Sequence, residues 1–143
     1  MNREAVTSAK RIVIKIGSSS LTGKAGSALD DSSVEKIVKV VADLKSRGAE
    51  VLVVSSGAIA AGLAPLGLAI RPKDLATQQA AASVGQGLLI ARYTEHLARH
   101  KITASQVLLT TEDIVRRSHY QNAQRTLTKL ISLGVVPIIN END

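Results

Sequence analysis

Val51 to Ala61, VLVVSSGAIAA, passes from an unbroken apolar run through Ser55-Ser56-Gly57 into small, helix-forming residues. That pattern predicts a strand that turns sharply into a helix. Gly57 permits the turn and a close approach of backbone to ligand, while the first N–H groups of the helix favour a carboxylate or a phosphate. Working outward, Ile12 to Ile16 is a second apolar strand, carrying Lys15 and ending in Gly17-Ser18-Ser19-Ser20. Two anion-seeking turns within the first sixty residues point to phosphoryl chemistry.

Periodicity alternates along the rest of the chain. Ser33 to Arg47 places Val34, Ile37, Val38, Val41 and Leu44 at helical spacing opposite Glu35, Lys36, Lys39, Asp43 and Lys45, with Gly48 as its stop. A short helix over Ala58–Ala64, a loop from Pro65 to Pro72 and a long helix from Lys73 to about Arg99 follow. Ile102 to Leu109 reads as a third strand, Thr111 to Leu133 as one helix closed by Gly134, and Val135 to Ile139 as a fourth strand containing Pro137. The order βαβαβαβ, with strands apolar on both faces, predicts an α/β fold: a mostly parallel sheet with helices on both faces.

Bulk properties set limits. A chain of 143 residues, 45% hydrophobic, suits one domain with a real core. No apolar run approaches a membrane span and the first residues lack a signal-peptide pattern, so the expectation is a cytoplasmic protein without membrane contact. There are no cysteines, which excludes disulfides and thiolate metal sites. The net charge of +6 is scattered rather than clustered, and only Tyr93 and Tyr120 could stack on bases. Small anionic ligands account for that charge as well as nucleic acid does, and no nucleic-acid partner is expected.

In such sheets ligands bind beyond the carboxyl ends of the strands. Those ends read Lys15-Ile16-Gly17-Ser18, Ser55-Ser56-Gly57, Thr110-Thr111 and Asn140-Glu141-Asn142-Asp143, all small or polar. Neither GxxxxGK[ST] nor GxGxxG occurs, so a different phosphate-binding design is required. Lys15 could be a solvated strand residue, but the Gly17-Ser18 backbone behind it lets ammonium and N–H groups converge on the same phosphate oxygens. Ser56 reads either as a helix cap or as a ligand contact. The cluster of amides and carboxylates from Asn140 to Asp143 exceeds what a turn needs. His96 and His100, at i and i+4, lack a third ligand and are flanked by Arg92, Glu95 and Arg99 on what reads as a solvated face, so no metal site is expected. Gly85 and Gly87 inside a helix imply close packing against another backbone, within the chain or across a subunit interface.

The stretches IVIKIGSSSLT, VLVVSSGAIAAGLAPLG, RPKDLATQQAAASVGQ, SQVLLTTEDI, NAQRTL and VVPIINEND, in this order, resemble the N-terminal part of the glutamate 5-kinases in the amino acid kinase family from Arg11 onward. SSGAIAAG together with VPIINEND distinguishes this branch from the aspartate, acetylglutamate, carbamate and uridylate kinases, which share only the lysine and glycine features. The resemblance implies an αβα sandwich. It also implies ATP-dependent phosphorylation of the γ-carboxylate of L-glutamate in proline biosynthesis, with ATP and Mg²⁺, a homo-oligomer and feedback inhibition by proline. Lys15 then matches the catalytic lysine at the ATP phosphates, with Gly17 and Ser18 beside it. Ser56 and Gly57 match substrate-binding positions; Asp143 matches the acidic residue for the substrate ammonium, with Asn140 in the same cluster.

By this resemblance residues 1–143 form the substrate-binding part of a truncated kinase domain, inactive alone. The ATP-binding half, which would hold most of the Mg²⁺, and any RNA-modification-type C-terminal domain would lie outside it. A non-catalytic amino-acid-binding or regulatory module, another member of the family, and a nucleic-acid-binding domain stand as alternatives.

Overall fold

The structure, a computed structural model, describes residues 3–23 and 28–140. Four strands, β1 (Arg11–Ile16), β2 (Glu50–Ser55), β3 (Ala104–Leu108) and β4 (Val136–Asn140), form one all-parallel sheet in the order β1-β2-β4-β3. Helix α1 (Arg3–Thr7) precedes β1, a stretch that the sequence reading leaves unassigned. The connections are α2 (Asp31–Ser46), then α3 (Ala58–Leu63) with α4 (Leu75–Arg99), then α5 (Thr111–Val115) with α6 (Arg117–Ser132).

The crossovers from β1 to β2 and from β2 to β3 advance in one direction, whereas that from β3 to β4 returns. Right-handed crossovers therefore put α2 and α4 on one face and α6 on the other. Packing agrees with this. Val34, Val38 and Val41 of α2 and Leu89, Tyr93 and Leu97 of α4 join Val51, Val53, Val136 and Ile138 in the main core. On the opposite face Leu52 shares a groove with Leu127 and Ile131 of α6.

Helix boundaries follow local chemistry. The Asp30 carboxylate accepts from the Ser33 N–H at 3.2 Å, so α2 starts two residues before Ser33. Asp74 accepts from the Thr77 N–H at 2.9 Å and starts α4 at Leu75 rather than Lys73. Gly48 and Gly134, with φ of 84° and 78°, close α2 and α6 as their spacing predicts. The single helix expected over Thr111–Leu133 is instead two. A Thr110–Asp113 capping box starts α5, and the extended backbone of Arg116 (ψ 118°) separates it from α6 with no Gly or Pro to mark the break.

The expectation of strands buried on both faces holds for the inner strands β2 and β4 and fails at the edges. Val13 of β1 and Leu108 of β3 are 60% and 63% exposed. Pro137 is accommodated in an inner strand because the β2–β4 ladder begins one residue beyond it, at Val53 and Ile138.

Gly85 and Gly87, alike in sequence, differ in the fold. A Cβ on Gly85 would overlap the Ala58 carbonyl oxygen, and one on Gly62 the Ala81 carbonyl oxygen, whereas one on Gly87 meets nothing within 4 Å. The close packing anticipated around Ala80–Gly87 therefore joins α4 to α3 within the chain. Ala81, Gly85, Leu89, Tyr93 and Leu97 make the buried i, i+4 stripe of α4 that turns toward α3 and the sheet.

Candidate functional site

At the carboxyl end of β2 the backbone turns at Gly57, with φ 108° and ψ 2°, a conformation that glycine adopts without strain. A Cβ there would lie 3.1 Å from Leu21 Cδ1, so the turn is both left-handed and tightly backed. The turn after β1 is different. Gly17 is extended (φ −77°, ψ 159°) and leads into a 3-10 turn, Ser18–Ser20, not into a helix. The sharp strand-to-helix turn expected at both strands occurs only at Gly57. Open space around the Gly17 Cα is what a larger side chain there would remove.

The two turns are tied together. The Ser56 N–H donates to the Ile16 carbonyl at 2.9 Å, extending the β1–β2 ladder one residue past the end of β2, and fully buried Leu21 bridges from the first turn to beneath the second. Lys15 is exposed, lies opposite Val54 in the register and shares the outer face of β1 with Arg11 and Val13. Ser18 lines a cavity of about 220 Å³ with Ile59 and Leu63 of α3 and with Arg71. Ser55, Ser56 and Gly57 are all buried. Asn140 pairs with Ser55 across β2–β4, and its Oδ1 is buried with no hydrogen-bond partner among the described residues. Asp143 lies outside the described residues.

Sequence reasoning missed the groups behind the turn. Ser55, wholly inaccessible, donates from Oγ to the Ser56 carbonyl at 2.9 Å, and its Oγ lies 3.1 Å from the hydroxyl of Tyr93, itself 1% exposed. Burial pushes the Tyr93 phenol above its ordinary pKa, against the opposing pull of the Ser55 hydrogen bond. A tyrosine at a core position of a helical stripe is a sign that its hydroxyl has a buried partner, and this was the available signal. Such burial also removes Tyr93 from any stacking role.

The histidine pair does not converge. His96 is 2% exposed rather than solvated, and its Nε2 lies 2.9 Å from Asp31 in the first turn of α2, while His100 is the exposed C-cap residue of α4. Among the described residues no three His, Cys, Asp or Glu side chains cluster as a metal site would require, and no helix is long and apolar enough to cross a membrane.

The sequence model described as "Amino acid kinase family" matches residues 10–143. The chain belongs to the amino acid kinase family. Within it, the chain is similar to the glutamate 5-kinase of Salinispora arenicola, 63% identical over 99% of this chain and 38% of that protein. The glutamate 5-kinase of Thermobifida fusca is 57% identical, covered over 36% of its length, and that of Streptomyces coelicolor 60% identical over 37%, each again spanning 99% of this chain. The chain thus spans little more than a third of these relatives. A solved structure, described as the T. acidophilum isopentenyl phosphate kinase product complex, superposes with a TM-score of 0.58 at 16% identity, over 94% of this chain and 58% of that one. At that identity the likeness concerns the amino acid kinase fold alone.

Proposed function

We propose that this chain is the substrate-binding part of a glutamate 5-kinase, which transfers the γ-phosphoryl group of ATP to the γ-carboxylate of L-glutamate. The observation that carries this reading is the joining of the β1 and β2 ends by the Ser56–Ile16 hydrogen bond, in a chain 63% identical to a protein of that name. The joined ends bring a lysine, a seryl turn and a left-handed glycine to one rim of the sheet.

In the reaction a glutamate carboxylate oxygen forms a bond to the γ-phosphorus while the bond from that phosphorus to the β,γ-bridging oxygen breaks, and ADP leaves. Two anions must be brought together, so positioning and charge stabilisation carry the catalysis. Lys15 supplies positive charge beside the transferred group, with the Gly17–Ser18 backbone next to it. Ser56, Gly57 and Asn140 hold the substrate, and Asp143 takes its ammonium. Among the described residues the buried Asn140 Oδ1 has no partner, which supports this assignment, because a buried acceptor left unpaired is destabilising unless a ligand or a neighbour satisfies it. Among the described residues no three His, Cys, Asp or Glu side chains cluster to hold Mg²⁺ by themselves.

The same reading makes the protein a cytoplasmic enzyme of proline biosynthesis, inhibited by proline and oligomeric. The exposed apolar side chains of edge strands β1 and β3 support association. Calorimetric titration of the 143-residue chain with L-glutamate, proline, MgATP and a DNA duplex tests the proposal. Glutamate binding without DNA binding is expected; DNA binding without glutamate binding would overturn it.

A further inference from the structure

Proton counting resolves the chain of hydroxyls behind the Gly57 turn. The Ser55 hydroxyl has one proton, and it is donated to the Ser56 carbonyl. The 3.1 Å contact with Tyr93 must then run from the phenol as donor to Ser55 Oγ as acceptor. All three groups lie out of solvent, where no water competes for them.

The Ser56 carbonyl belongs to the peptide whose N–H is that of Gly57. In a trans peptide the two point in opposite directions. Holding the carbonyl on Ser55 Oγ therefore turns the Gly57 N–H to the opposite side of the peptide, away from Ser55 Oγ. That N–H finds no acceptor among the described residues. A glycine in the left-handed region is free to flip such a peptide, so the orientation needs an external restraint. Helix α4 supplies a second contact at the same place, because Gly85 packs without a Cβ against the carbonyl of Ala58, the residue that follows the turn.

We propose that Tyr93 is a positioning residue, which acts through Ser55 to fix the Ser56–Gly57 peptide and aim the Gly57 N–H at an anionic group of the ligand. The ligand's identity as glutamate rests on the function proposed above; the relay itself does not.

The test uses the ¹⁵N-labelled 143-residue chain as wild type, Tyr93→Phe, Ser55→Ala, Ser55→Thr and the Tyr93→Phe/Ser55→Ala double variant. The resonance and exchange rate of the Gly57 amide, the glutamate Kd and the Tm are read for each. Loss of one buried hydrogen bond weakens glutamate binding by about tenfold. Tyr93→Phe and Ser55→Ala should each show that loss and shift the Gly57 amide. The double variant should be no worse than the poorer single one, and Ser55→Thr, which keeps the hydroxyl, should restore both readouts. A fall in Tm with the Gly57 amide and the glutamate Kd unchanged in Tyr93→Phe would make the contact merely structural and overturn the proposal. If wild type does not bind glutamate, the functional reading fails separately. The Gly57 amide then decides alone: displaced in Tyr93→Phe and Ser55→Ala but not in Ser55→Thr supports the relay, and unmoved overturns it.

Discussion

His96 Nε2 sits 2.9 Å from Asp31 Oδ1, joining the last turns of α4 to the first turn of α2 although the two residues are 65 apart in sequence. The imidazole is almost inaccessible while the Asp31 side chain is 58% exposed, so the histidine is the partner that depends on the contact. His96→Ala, which loses both the hydrogen bond and the packing, is expected to reduce unfolding free energy by about 2–3 kcal/mol in a urea titration. A change below about 0.5 kcal/mol, the range of ordinary surface substitutions, would refute a structural role.

Stability should also fall in acid. The His96 hydrogen bond holds the Asp31 carboxyl below its ordinary value. The cap hydrogen bonds from Ser33 and Ser32 do the same for Asp30, those from Thr77 for Asp74 and those from Thr110 for Asp113. A carboxyl whose folded pKa is depressed contributes stability that is complete above its unfolded pKa of about 3.9 and is lost as pH falls through the lower folded value. Tm measured from pH 7 to 2 should stay level to about pH 5 and then decline. Replacing Asp30, Asp74 and Asp113 together by Asn should flatten that decline; an unchanged slope would mean that other groups cause it.

Gly85→Ala and Gly87→Ala should act in opposite directions. At Gly85 the methyl overlaps the Ala58 carbonyl, a backbone atom that cannot move aside without shifting α3 and the Gly57 turn, so a loss of about 3 kcal/mol or more is expected. At Gly87 the methyl enters open space, and the better helix propensity of alanine should add roughly 0.5–1 kcal/mol. Thermal melts of both variants check the pair. Equal effects would contradict the packing of α3 on α4.

If Lys15 acts on the transition state as the proposed function has it, Lys15→Ala in a protein of the full length of the relatives should lower kcat by on the order of 10²–10³ with a smaller change in KM for glutamate. Ser56→Ala should instead raise KM with kcat less affected. Steady-state kinetics of the two variants separates these roles. A Lys15→Ala enzyme within about threefold of wild-type kcat would leave Lys15 as a solvated strand residue.

The 143 residues alone should give no turnover with glutamate and MgATP in a coupled ADP-release assay, and should associate as concentration rises in light scattering. Rates near the roughly 1–100 s⁻¹ usual for kinases would defeat the first expectation. A clean monomer over a wide concentration range would defeat the second.

Much of this was legible because the signals are local. Gly48 and Gly134 mark helix ends through their own backbone preference, and the left-handed turn at Gly57 follows from an apolar strand running into small residues. What stayed hidden depends on contacts distant in the chain. Nothing near Gly85 or Gly87 reveals which one faces α3, since that is set by the register of two packed helices. Tyr93 and Ser55 are 38 residues apart and meet only because α4 crosses behind the end of β2. Gly17, read as a turn, is extended because the 3-10 segment after it makes the bend instead. Lys15, Gly17, Ser18, Ser56, Gly57 and Asn140 lie at the strand ends where the sequence reading put them, whereas the groups that hold the Gly57 turn from behind were not read from the sequence.

The strand order has a consequence for the nascent chain. β4 is made after both of its neighbours, yet it lies between them, and the described edge strand β3 pairs with β4 alone. While β1, α2 and β2 can close as a local unit during synthesis, β3 must wait without a ladder until Val136–Asn140 emerges. A ribosome that pauses across α5 and α6 would prolong the time for which Gln106 and Leu108 present unpaired backbone to other chains, and a chaperone acting at that stage would have a defined segment to shield.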